Sequence, residues 1–86
     1  VSVTTSAAVV ATRAVFMGAS VRETAGATAA VRVYDNASAA SGTLVAAFSL
    51  PANGSFAVAP PHGVQAVNGL YWSVVSGAVE GSVWVG

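Results

Sequence analysis

Seven side chains carry nearly all the ionic chemistry open to this chain: Arg13, Arg22, Glu23, Arg32, Asp35, His62 and Glu80. His62 is the only imidazole, so a metal site would need it together with carboxylates. The three acids stand at 23, 35 and 80, with none of the paired spacing that brings two ligands to one face. A Ser-His-Asp set can be drawn from Asp35, His62 and any of many serines, but serine is too frequent for the match to carry information. No G-x-S-x-G elbow accompanies it. Glu23, Asp35 and Glu80 are the only candidates for a pair of glycosidase carboxylates. Glu23 adjoins Arg22 and Asp35 follows Arg32 by three, which reads as salt-bridge chemistry instead. Arg22 and Arg32, on successive strands, are expected to form cross-strand pairs with these acids and so fix register. Gly69, Gly77, Gly81 and Gly86 fall at strand ends, not in a phosphate-cradling loop before a helix. With no cysteine there is no thiol catalysis and no disulfide. The expectation is a chain without a catalytic residue, a metal site or a cofactor, with His62 a loop side chain facing solvent or an interface.

Tyr71, Trp72 and Trp84 are the aromatic candidates for a sugar-stacking platform. Neighbours along a strand point to opposite sides, so only one of Tyr71 and Trp72 can face a core. One ring in the core and one at an interface is the expected outcome.

The elements that must position these groups are short. Turn-forming clusters fall at 23–27, 35–42, 51–54, 60–63, 68–69 and 76–78, with a weaker one at Glu80-Gly81. Between them lie stretches rich in Val and aromatics, read as strands near 14–22, 28–34, 43–50, 54–59, 63–67, 70–76 and 79–85, with a further one within 7–12. Ala29, Val31 and Val33 share one face, and Leu70, Trp72 and Val74 another. Asn68-Gly69 reads as a two-residue type I′ hairpin joining 63–67 to 70–76 as antiparallel neighbours. Pro51-Ala52-Asn53-Gly54 suits a tight connection between 43–50 and 54–59. Pro60-Pro61 cannot donate two successive amides and so ends a strand. The spacing predicts an all-β fold, a small antiparallel β-sandwich or jelly-roll-like barrel of seven or eight strands, with almost no helix. Residues 14–86 form the single sandwich domain. Residues 1–13 read either as an edge strand of that domain or as an N-terminal arm laid on a neighbour.

Composition bears on how such a domain meets its surroundings. A chain of 86 residues buries only about 60–65% of its unfolded surface. Its 55% apolar content is mostly Ala and Val, leaving eleven larger anchors: Phe16, Met17, Tyr34, Leu44, Phe48, Leu50, Phe56, Leu70, Tyr71, Trp72 and Trp84. Charged residues make up 7%, against about 25% in an ordinary soluble domain, and none occurs from Asn36 through Val79. A small core and a charge-poor surface rich in Ala, Ser, Thr and Gly predict burial against partner subunits. Three scattered arginines in a chain of zero net charge argue against nucleic acid. Polar, Gly or Pro residues interrupt every stretch of bilayer-spanning length, which argues against a membrane helix.

Four phrases carry a resemblance: Ser20-Val21-Arg22-Glu23-Thr24, Val31-Arg32-Val33-Tyr34-Asp35, Gly69-Leu70-Tyr71, and Gly77-Ala78-Val79-Glu80-Gly81-Ser82-Val83. Over roughly residues 14–86 the chain resembles short β-rich virion structural proteins, head-decoration or accessory proteins, of tailed bacteriophages and prophages of high-G+C hosts. The resemblance implies a non-catalytic role in the virion: a capsid decoration protein that binds and stabilises the head lattice. Its partners would be the major capsid protein and copies of itself as a homo-oligomer. A tail or baseplate component and a small carbohydrate-binding or adhesive β-sandwich are the alternatives. The family has no active site to carry over.

Overall fold

The computed structural model describes residues 2–59 and 61–86; Val1 and Pro60 lie outside them, and with them part of the Val1–Thr5 edge strand and of the Pro60-Pro61 stop. Among the described residues nine strands run along the chain: β1 (Ser2–Val3), β2 (Ala7–Val10), β3 (Ala14–Glu23), β4 (Ala29–Asp35), β5 (Thr43–Leu50), β6 (Ser55–Val58), β7 (Val64–Ala66), β8 (Leu70–Ser76) and β9 (Val79–Val85). No helix forms among the described residues, because Gly and β-branched residues flank the two Ala-rich runs.

The strands divide into two wholly antiparallel sheets. One has the order β1-β9-β3, with β6 and β7 sharing the far edge of β3; the other is β2-β8-β4-β5. β7 pairs with residues 14–16 of β3 and β6 with residues 19–22, so the two are halves of one interrupted strand. Taking them as one, the chain visits the sheets in the sequence, and pairs in the order, of a jelly roll. The expected seven or eight strands become nine segments because that edge strand is split and the two-residue β1 also pairs.

Alternation puts one face of each strand inside. Ala29, Val31, Val33, Leu50, Leu70 and Trp72 line the core from one sheet, and Val3, Phe16, Val21, Val79 and Val83 from the other. In β3 the buried positions change phase, from Ala14 and Phe16 to Ala19, Val21 and Glu23. A bulge between Phe16 and Gly18 against β9 causes the change, since one extra residue moves all later side chains to the other face. Gly18 is required there: it sits at φ +146°, and a Cβ on it would strike the Val58 carbonyl and lie 2.9 Å from Trp84 Cε3. The Trp84 indole therefore covers Gly18 from the neighbouring strand.

Of the eleven large anchors only Phe16, Phe48, Leu50, Leu70 and Trp72 are buried. Met17, Leu44, Phe56 and Trp84 are exposed by 38–49%. The core is built as much from Val and Ala as from large side chains.

Two sequence readings are corrected. Asn68-Gly69 is not a hairpin: β7 pairs with β3, whereas β8 pairs with β2 and β4 in the opposite sheet. The dipeptide carries the chain across the sandwich, and among the described non-glycine residues only Asn53 has positive φ, so a type I′ turn is absent at Asn68. Glu80-Gly81 lies inside β9 and is no turn. Pro51–Gly54 is a tight turn, with Gly54 N donating to Pro51 O at 2.8 Å and Asn53 at φ 58°. It too joins the two sheets, as β5 and β6 belong to different ones.

Candidate functional site

Each of the three carboxylates is engaged in holding the fold. Glu23, at the end of β3, is buried with 3% exposure and accepts four backbone N–H groups. Three come from the turn that follows, Ala25 at 2.5 Å, Gly26 at 2.8 Å and Ala27 at 3.2 Å; the fourth is Asn53 N at 2.9 Å from the β5–β6 turn. The Asn53 amide, with those of Ala25, Ala27 and Gly26, holds the carboxyl below its usual range against the opposing effect of burial. Beside it, Glu23 N donates to Gly54 O and Thr24 N to Ala78 O. Glu23 thus ties together the loops at one end of the sandwich, and it is not a salt-bridge partner of Arg22.

Asp35, at the end of β4 in the opposite sheet, does similar work. Its carboxylate accepts Asn68 N at 2.8 Å and Val67 N at 3.2 Å, clamping the β7–β8 crossover to the end of β4. Nearby, Asn36 Oδ1 accepts Ser38 N and Ala39 N, and its Nδ2 donates to Ser41, which orders the 36–42 loop. Among the described residues Glu80 alone makes an ion pair, with Arg22 Nε at 2.6 Å across β3 and β9. The pair is exposed, so it contributes under about 1 kcal/mol. The expected pairing of Arg22 and Arg32 with Glu23 and Asp35 does not occur, because β3 and β4 belong to opposite sheets.

His62 is exposed in the gap between β6 and β7, and no cluster of three metal-ligating side chains forms among the described residues. The three candidate rings are separated. Trp72 is in the core, half-buried Tyr71 is on the outer face of the β2-β8-β4-β5 sheet, and exposed Trp84 is on the outer face of the other. No single platform contains them.

What remains are surfaces. On the outer face of the β1-β9-β3 sheet an open depression of ≈ 520 Å³ is lined by Thr4, Ser20, Arg22, Ser55, Glu80 and Ser82. Its opposite charges are spent on one another, so it presents hydroxyls and little field. On the opposite face the register sets Tyr34 beside Tyr71, and Arg32 between Ser73 and Ala47. Sequence reasoning missed the Tyr34–Tyr71 neighbours, which are 37 positions apart in the chain and meet only through the β4–β8 register.

Comparison of the chain with protein-family models, with curated proteins and with solved structures finds no match.

Proposed function

We propose that this chain is a non-catalytic structural protein of a virion, a capsid decoration protein that binds the head lattice and stabilises it. The observation that carries the reading is how the ionic side chains are employed. All three carboxylates are bound to backbone amides or to Arg22, so apart from Arg32 and the exposed Arg22–Glu80 pair the outer faces of the two sheets consist mainly of Ala, Ser, Val and a few aromatics. Such a surface suits burial against protein neighbours and offers no acid–base pair poised on a substrate. The jelly-roll order agrees by analogy of fold, since this architecture recurs in capsid proteins, although it also serves lectins and cupins. The phage resemblance supplies the specific assembly. A tail or baseplate position in the same virion is the competing assignment.

Quantitative mass spectrometry on purified particles of the encoding phage or prophage tests the reading. Hundreds of copies per particle, with heads that lose heat stability when the gene is deleted, are expected. Tens of copies or fewer would transfer the protein to the tail. Its absence from particles would remove the virion role altogether.

A further inference from the structure

An antiparallel sheet ends in strands whose outer N–H and C=O groups lack partners, and folded proteins protect such edges with shortness, bulges, charges or proline. Three of the four edges here are protected. β1 has two residues; β2 has four, with a bulge between Ala8 and Val10; and β6 ends at Val58 while β7 begins only at Val64. β5 differs. It has eight residues, pairs only with β4 among the described residues, and carries no charge and no proline. A bulge at Val45 disturbs its first part, where Val33 faces Ala46 but Tyr34 faces Leu44. Ala46 through Leu50 then continue in unbroken register with Val33 through Ala29.

We infer that the free edge of β5 is a self-association surface, on which a second copy of this chain pairs its own β5 antiparallel about a two-fold axis. Three features select a second copy. The donor and acceptor pattern of an antiparallel edge matches its own copy rotated by a two-fold, so all newly made bonds are reciprocal. Two-fold pairing also sets each strand's side chains against those of its copy. A charge close to the two-fold would lie near its like, and there is none from Thr43 through Leu50. Finally, this side of the sandwich is closed between the sheets by Phe48 stacked on Phe56, ring centroids 5.0 Å apart, with Phe56 left 38% exposed. A strand added beyond β5 brings further apolar side chains alongside that ring. The pair closes on itself as a continuous eight-stranded sheet and leaves the three protected edges free. The inference stands whether or not the protein belongs to a virion.

Ala47 is exposed near the middle of the regular stretch, opposite Arg32 on β4. Glutamate there gains Arg32 as a cross-strand partner within one chain, so Ala47→Glu keeps the monomer folded while placing like charges across the two-fold. Ser49→Lys, exposed opposite Ala30 and with Arg32 only at the diagonal position, is a second variant of opposite sign. Sedimentation equilibrium over a concentration series is the measurement, with folding checked by circular dichroism. The wild-type chain is expected to dimerise. Each variant alone is expected to raise the dimer dissociation constant by about tenfold or more. A mixture of the two variants is expected to recover association, because opposite charges then meet. A wild-type chain that stays monomeric throughout overturns the inference. So does a dimer whose affinity neither variant changes, because its interface then lies elsewhere.

Discussion

At the scale of single residues, the weight of this small fold falls on groups whose neighbours in sequence do not reveal their role. Glu23 is one. Its folded carboxyl titrates below the ordinary glutamate range, so the ionised form is favoured by folding. Its contribution is complete above the unfolded value and is lost as pH falls through the lower folded value. Glu23→Gln replaces one acceptor oxygen with an N–H₂ set against amide donors, and should lower the thermal midpoint at neutral pH. The gap between wild type and variant should narrow as the solution is acidified below the usual carboxylate range. A gap that stays constant would mean that the charge contributes nothing. Trp72 is the other. It is fully buried, stacks at a tilt 5.8 Å from Phe48, and its indole Nε1 has no hydrogen-bond partner among the described residues. An orphaned buried donor costs roughly 1–3 kcal/mol. Trp72→Phe removes that donor while keeping an aromatic ring, and should cost less than about 2 kcal/mol, whereas Trp72→Ala should cost about 3–5 kcal/mol. Urea denaturation of both variants checks the contrast; equal losses would show that the N–H finds a partner in solution.

At the scale of elements, the β7–β8 crossover between the sheets is tightly constrained. Gly69 has φ +142°, and a Cβ on it would lie 2.5 Å from Val10 O and 3.2 Å from the Cα of Ala37. The chain passes here between the end of β2 and the β4–β5 loop, held from the other side by Asp35. Gly69→Val should therefore destabilise by more than about 1 kcal/mol, from steric contact and from a φ that β-branched residues resist. Amide exchange at Val67 and Asn68 should accelerate with it as the clamp loosens. A shift in the unfolding midpoint without any change at those two amides would place the strain elsewhere.

At the scale of the whole molecule, the first residues complete both sheets. β1 pairs with β9, β2 pairs with β8, and Ser6 Oγ accepts Val74 N at 2.8 Å. Val3 is a core residue, and Val9 and Val10 pack against the core. Burying a valine contributes about 1.5–3 kcal/mol. Deleting residues 1–11 should therefore destabilise the sandwich by several kcal/mol, close to the whole stability of a domain this small. Loss of a cooperative thermal transition is the expected result. A truncated chain that melts at the wild-type temperature would show these strands to be dispensable additions.

The strand set was legible in the sequence almost segment by segment, because alternation of Val and aromatics with polar residues is a local property of a half-buried strand. Ala29, Val31 and Val33, with Leu70 and Trp72, occupy the core face that alternation assigns them. Pairing was not legible. Asn68-Gly69 reads as a hairpin, but a dipeptide that tolerates unusual φ serves a crossover equally well; which it does depends on the edge its flanking strands find. The phase change in β3 rests on one extra residue opposite β9, where Gly18 faces Trp84, 66 positions further along the chain. The acids show the same limit. Adjacency to arginine suggested ion pairs for Glu23 and Asp35, yet both carboxylates turn to backbone amides brought to the sandwich ends by other loops. Side-chain type and spacing determined which segments are strands and which face each buries; only the tertiary structure decided which edges meet, because hydrogen-bonding edges look alike until the whole core selects one arrangement.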